Sequence, residues 1–312
     1  MRWKPVRLIP DDTKYPFMRL SRFGFFVSGI LCILAIALFV FKGLNYGIDF
    51  KGGSVITIRT QEVAHLDNLR NTLNNLGLGS VELQQFGGPN DVLIRLPAQG
   101  GGDQNEQAAQ KKVVDALGPT VEIRAKETVG AKVSEELTQQ ATAAVMLAII
   151  FVLFYLWARF EWQFALGAVL SLLHDVTLSI GLFSLIGLEF NLSIIAAILT
   201  IIGYSLNDTV VVFDRIREFL RRYKSMGLAD LIDFSINSVL PRTILTSLAT
   251  LMALIALYLF GGEVIRGFSF AMIWGVVVGT YSSIFIASPV LILLGTKREM
   301  AAAEVKPLAK RK

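Results

Sequence analysis

Six apolar runs constrain this chain more than any other feature of its sequence. They fall at 23–41, 141–158, 164–188, 190–213, 243–260 and 268–294. A bilayer core about 30 Å thick needs about 20 apolar residues in a helix to cross it. In lipid every backbone polar group must be satisfied internally, so runs of this kind are helices. Composition agrees. Of the 312 residues, 53% are hydrophobic, against about 45–50% in soluble domains, and mean hydropathy is +0.56. The expected fold is a polytopic α-helical membrane protein with six transmembrane helices. The first run, preceded by polar residues and followed by no small-residue cleavage site, reads as an uncleaved signal anchor. The single cysteine, Cys32, cannot form an intrachain disulfide and reads as a small core residue.

The polar insert at 42–140 carries a second pattern. Ser54–Thr60, Val81–Phe86, Val92–Leu96 and Val121–Lys126 read as strands. Leu66, Leu69, Leu73 and Leu76 make a helical stripe, and Glu106–Leu117 a second helix. Gly87–Asp91 reads as a hairpin turn. The order βαββαβ predicts a small α+β domain of the ferredoxin-like kind between helices 1 and 2. Thr128–Gln140 is expected to lead into the second span as helix.

Loop charges set orientation. Residues 1–22, the link 159–162, the segment 214–242 and the tail 295–312 hold 19 of the 30 Lys and Arg, while the short turns on the other side hold one, Arg266. Both termini, the 214–242 loop and the basic tail are therefore expected in the cytoplasm. The insert at 42–140 is expected outside, in the periplasm of a cell with an inner membrane.

Within this frame one residue is out of place. Asp208, beside Asn207, lies in the fourth run. A carboxylate in a membrane helix costs roughly 2.5–3.5 kcal/mol on insertion scales and marks a functional site by default. Asp208 lies 18 residues from Phe190, and Arg242 lies 18 residues before Phe260, so both sit roughly 27 Å from the same membrane face. An Arg and an Asp at one depth on consecutive helices are expected to pair. Pro241 suits the first turn of the fifth helix. In the third span His174 and Asp175 share a face with Gly167 and Ser171. In the fourth, Thr200, Gly203, Tyr204, Asn207 and Asp208 share a face, with Ile202, Leu206 and Phe213 pointing to lipid. Ala271, Gly275, Gly279, Ser283 and Ala287 form a small-residue packing ladder in the sixth. Two readings stay open. The polar groups form a proton or cation path, with His174, Asp175 and Asp208 at staggered depths, Asn207 and Tyr204 beside them, and Arg242 modulating them. Alternatively, they form a buried ion pair that only fixes helix register. Asp214 and Arg217 read as the solvated end of the helix.

Several stretches carry a family resemblance. Gly47-Ile48-Asp49-Phe50-Lys51-Gly52-Gly53 resembles the G-x-D-F-x-G-G signature of the SecF family of the bacterial Sec translocon, and Gly203–Glu218 resembles that family's fourth-span motif. His174-Asp175-Val176 and Asn237–Thr243 are similar to its further motifs. The resemblance covers residues from about 17 to about 295. It implies a half-size member of the resistance-nodulation-division superfamily that pairs with a SecD-like six-span subunit. It implies work beside the SecYEG channel on an exported unfolded polypeptide, driven by the proton-motive force after the ATP-driven step. YajC and YidC-like proteins and membrane lipids are further expected partners. Nucleic acid, cofactors, metals and enzymatic catalysis are not expected. It also places the family's coupling Asp and Arg on Asp208 and Arg242. The alternatives are half of a small-molecule or lipid exporter of the same superfamily, or a purely structural subunit.

Overall fold

The structure, a computed structural model, describes residues 13–85, 88–100, 103–119 and 121–295. The first part of the basic N-terminal segment, Gly87 of the expected hairpin turn and all but the first residue of the basic tail lie outside the described residues. The chain divides into two compact units. One holds residues up to Leu44, Ala148–Leu188, and those from Ala196 onward; the other holds Asn45–Leu147 with Glu189–Ile195.

In the first unit lie most of the long helices: α1 (Phe17–Lys42), α5 (Ala131–Arg159), α6 (Trp162–Ile186), α7 (Leu192–Arg222), α8 (Leu228–Phe260) and α9 (Glu263–Ser282), with α5 and α7 each beginning in the other unit. After α9 the helix passes through a π turn, Ser283–Ala287, and resumes as α10, Ser288–Leu293. Six segments among the described residues are long and apolar enough to cross a membrane. Their burial sorts them. In its most apolar stretch the Val264–Leu293 segment is 67% buried and is central, whereas that of α8, at 17%, and those of α1 and α5, at 17% and 11%, are peripheral. Large apolar side chains left exposed on α1 and α5 suit contact with lipid.

Small residues allow the close contacts. A Cβ on Gly181 of α6 would stand 2.3 Å from the Cβ of Ala35 on α1. On α9, a Cβ on Gly275 would stand 2.2 Å from Ile201, and one on Gly279 would stand 2.9 Å from Ser205, both on α7. The expected ladder thus packs α9 against α7. At the Arg222 end of the bundle an aromatic core forms, with Phe164 and Phe213 edge to face at 5.2 Å and Phe160 beside them. There α8 supplies Leu231, Ile232 and Ile236. Its Asp233 and Asn237 accept from the backbone N–H groups of Met18 at 2.8 Å and Tyr15 at 2.9 Å. These bonds serve donors that the start of α1 cannot satisfy internally.

Three expectations are corrected here. Pro241 does not open the fifth helix but lies inside α8. The stretch from Leu228 buries an apolar face on the core, which outweighs the missing proline N–H. The 214–242 segment is consequently helical except for residues 223–227. Leu206 and Phe213 do not face lipid; they are 9% and 0% exposed.

The second unit runs β1 (Asn45–Tyr46), α2 (Ile48–Lys51), β2 (Gly53–Thr60), α3 (Leu66–Asn74), β3 (Glu82–Gln85), β4 (Asp91–Leu96), α4 (Asp103–Leu117) and β5 (Val121–Val129). Four strands make an antiparallel sheet in the order β3-β4-β2-β5. Ile56, Ile58, Val92 and Ile94 pack under α3 and α4 through Leu73 and Val113. Strand β5 outlasts its expected end at Lys126, because Thr128 and Val129 still pair with Ser54 and Gly53.

The glycine motif has a local cause. Gly53 has φ +108, and a Cβ there would stand 2.2 Å from the carbonyl oxygen of Leu96. No other residue fits that backbone conformation and approach. The turn at 187–191 contains β6 (Glu189–Phe190), which pairs in parallel with β1. Asp49 Oδ2 then accepts from the Leu192 N–H at 2.9 Å, at the free N-terminus of α7. Arg95 lies under this junction with its side chain 8% exposed, its guanidinium 3.1 Å from Glu189 and bonded to Asn45 at 2.9 Å.

Candidate intramembrane coupling site

Two carboxylates lie inside the helix bundle. Asp208 is 7% exposed and Asp175 is 1% exposed. The side-chain partners of Asp208 are hydroxyls, and those of Asp175 are hydroxyls and the His174 ring. Thr243 on α8 donates to Asp208 Oδ1 at 2.9 Å, and Ser283 donates to Oδ2 at 2.8 Å. Asp175 Oδ2 accepts from Ser205 of α7 at 2.6 Å and from Ser282 of α9 at 2.7 Å. Its Oδ1 stands 2.9 Å from His174 Nδ1. Ser171 extends this chain by donating to Ser282 at 2.9 Å. Hydrogen bonds to a charged group contribute about 1.5–3 kcal/mol each, enough in number here to offset much of the burial penalty.

The architecture explains why these groups meet. Ser205 and Asp208 lie three residues apart on α7, so one face of that helix reaches both clusters. Ser282 and Ser283 are consecutive, at the boundary where α9 becomes the π turn. A π turn carries one extra residue per turn and is frequent at functional sites. Pro289 follows it and has no N–H to donate to an earlier carbonyl. The Ser288 hydroxyl donates to the Ser283 carbonyl at 2.8 Å. Gly167 leaves α6 close to the same turn, since a Cβ there would stand 3.0 Å from the Ala287 carbonyl oxygen.

The sequence-derived candidates fare differently. Asp208, Asp175 and His174 are buried at the site, and the His174 Nε2 is buried without a hydrogen-bond partner among the described residues. Tyr204 reaches Ser247 of α8 at 3.2 Å, and Ser247 meets Thr280 of α9 at 2.8 Å, one turn from the carboxylates. Ser283 is more than a packing residue, because it donates to Asp208. The expected Asp208–Arg242 ion pair is absent. Arg242 is exposed and forms no ion pair among the described residues, although its charge acts on Asp208 through space. Successive helical residues point about 100° apart, and it is Thr243, not Arg242, that faces Asp208. Asn207, expected inside, is exposed with Thr200, Gly203 and, across on α8, Thr246.

Ser205, Ser282 and Thr243 escaped the sequence reading. Only Thr243 carried a usable signal, its place beside Arg242 at the depth of Asp208.

A helical bundle with six membrane-length segments among the described residues, and with hydroxyl-lined carboxylates in its interior, defines a polytopic membrane protein. Family comparison specifies it. Residues 109–297 match the protein export membrane protein SecD/SecF C-terminal domain, and residues 37–62 match the SecD/SecF GG motif. The chain belongs to the SecD/SecF family of protein-export membrane proteins, on the SecF side. It is 43% identical over 310 residues to the protein translocase subunit SecF of Rhodobacter capsulatus, covering 94% of this chain and 92% of that one. It is 45% identical over 301 residues to the protein translocase subunit SecDF of Brucella abortus, covering 96% of this chain but only 40% of that longer one. The crystal structure of SecDF, a translocon-associated membrane protein from Thermus thermophilus, superposes with a TM-score of 0.84 at 36% identity. That match covers 94% of this chain and 40% of the other.

Proposed function

We propose that this chain is a SecF subunit that works with a SecD-like six-span partner. In this reading the pair uses the proton-motive force to complete protein export across the inner membrane after the ATP-driven step, beside the SecYEG channel. It is a coupling device, not an enzyme. Both termini lie in the cytoplasm, and the βαββαβ unit is a ferredoxin-like periplasmic domain. The loop-charge asymmetry supports that orientation, and the strand order β3-β4-β2-β5 supports that domain type. The exposed polar stripe of Thr200, Asn207, Arg242 and Thr246 on two candidate spans supports the partner, since polar groups are unfavourable against lipid.

One observation carries the reading: Asp208 is buried, and one of its two hydroxyl partners, Ser283, has a second acceptor. Ser283 Oγ lies 2.8 Å from Asp208 and 3.0 Å from the Thr280 carbonyl. A hydroxyl has one proton to donate. When Asp208 is charged, Ser283 donates to it. When Asp208 takes up a proton, Ser283 turns its hydrogen to Thr280 and accepts from Asp208. Ser282 has the same choice between Asp175 at 2.7 Å and the Gly279 carbonyl at 3.1 Å. Protonation therefore strands no buried hydroxyl. A proton crossing 100 mV supplies about 2.3 kcal/mol, which biases a two-state arrangement about fiftyfold.

The test is Asp208→Asn in proteoliposomes carrying the complete translocase. Export should persist at its ATP-driven level and lose its response to an imposed proton gradient, with subunit levels unchanged. An intact gradient response would sink the proposal.

A further inference from the structure

A second polar feature lies away from the two carboxylates. A cleft of about 570 Å³ is lined by Arg159, Asp214, Arg217, Glu218, Arg221 and Arg222. The carboxylates in it are already engaged. Asp214 accepts from Nη2 of Arg159 at 2.7 and 2.8 Å, and Glu218 accepts from Arg215 at 2.7 Å. The guanidiniums of Arg159 and Arg217 both lie over Phe160, at 5.2 and 5.7 Å from its ring centroid. Arg217 reaches Glu161 at only 3.4 Å, and its Nε is buried with no hydrogen-bond partner among the described residues. With Arg215 and Glu161 included, five arginines stand against three carboxylates, a net charge of +2. Such a cluster favours an anion, and guanidinium groups match the oxygens of a phosphate.

The position of the cleft specifies the anion. Arg159 and its ion-pair partner Asp214 directly follow the apolar runs 141–158 and 190–213 of two helices long and apolar enough to cross a membrane. The cleft therefore lies at the level where lipid headgroups begin. Phe151, Tyr155 and Arg159 follow one another at four-residue spacing along α5, with the two aromatics 62% and 42% exposed. An apolar, aromatic track thus leads along the helix to a cationic mouth, and aromatic side chains of this kind favour the membrane interface. A free phosphate would use the mouth but not the track.

We propose that this cleft binds the phosphate headgroup of an anionic glycerophospholipid, with an acyl chain lying along the exposed face of α5. The site is independent of the proton path and needs no assumption about which side of the membrane it faces.

Native mass spectrometry of the full chain with its SecD-like partner tests this. The delipidated complex is titrated with dioleoyl phosphatidylglycerol, or with dioleoyl phosphatidylcholine as the zwitterionic control. Phosphatidylglycerol should bind about tenfold more tightly. The preference should vanish in the R221Q/R222Q variant and persist in R221K/R222K. In the unmodified complex it should weaken between low and high salt, a readout that needs no variant to fold. Equal binding of the two lipids would overturn the proposal, as would a preference that survives R221Q/R222Q. Displacement of phosphatidylglycerol by an equal concentration of inorganic phosphate would reassign the cleft to free phosphate and defeat the lipid claim.

Discussion

Ser282 and Ser283 are neighbours in the chain, yet their hydroxyls donate to different carboxylates, Asp175 at 2.7 Å and Asp208 at 2.8 Å. Two acidic groups on two helices are thereby joined through one dipeptide on a third. The geometry makes the serines a shared element, and their removal should affect both acids.

Ser283→Ala removes a donor to a buried carboxylate and should lower stability by about 1.5–3 kcal/mol. In an Asp208→Asn background the same change should cost much less, because the charge it served is gone. A double-mutant cycle on thermal unfolding in detergent measures the difference. Strict additivity would show that Ser283 does not act through Asp208.

Arg242→Gln should leave stability within about 0.5 kcal/mol, as is usual for an exposed side chain, here one with no ion-pair partner among the described residues. A buried ion pair would instead cost about 3–5 kcal/mol on losing one member. Melting of the isolated chain separates the two cases. Gradient-driven export by the assembled complex should nevertheless fall, since Arg242 is the charge acting on Asp208 from α8.

Gly275→Ala places a methyl group 2.2 Å from Ile201. Overpacking of this kind costs about 1–3 kcal/mol. Ile201→Ala in the same chain should recover part of the loss. Thermal melting of both variants checks the pair, and failure of the rescue would move the cost elsewhere.

Glu189 offers a pH test at the β1–β6 junction. Burial, only partly opposed by Arg95, holds its carboxyl above the ordinary 4.5. The folded form therefore binds this proton more tightly than the unfolded chain does. Its contribution to stability is full below the unfolded value and is lost as pH rises through the folded one. Thermal stability should thus fall across that window in the native chain, and the fall should be smaller in Glu189→Gln. Identical pH profiles for the two proteins would refute this.

The six spans were legible because an apolar run of bilayer length admits one conformation. Asp208 was legible because a charge in such a run stands out. Axial depth could also be counted, which brought α8 to the correct level. Azimuth could not, because a one-residue error turns a side chain about 100°; the count therefore selected Arg242 where Thr243 makes the contact. Pro241 misled for a related reason. Proline favours a helix start, but the buried face from Leu231 to Leu240 carries α8 straight through it. The β1–β6 pair left no trace, since two residues have no periodicity and their partners lie more than a hundred positions apart.

The π turn at Ser283–Ala287 leaves the last span with one residue too many for its own winding. The surplus residue offsets the side chains beyond it by about 100° from where an unbroken α-helix would aim them. Ser282 and Ser283 stand where that offset begins, and from consecutive positions they serve acids on two different helices.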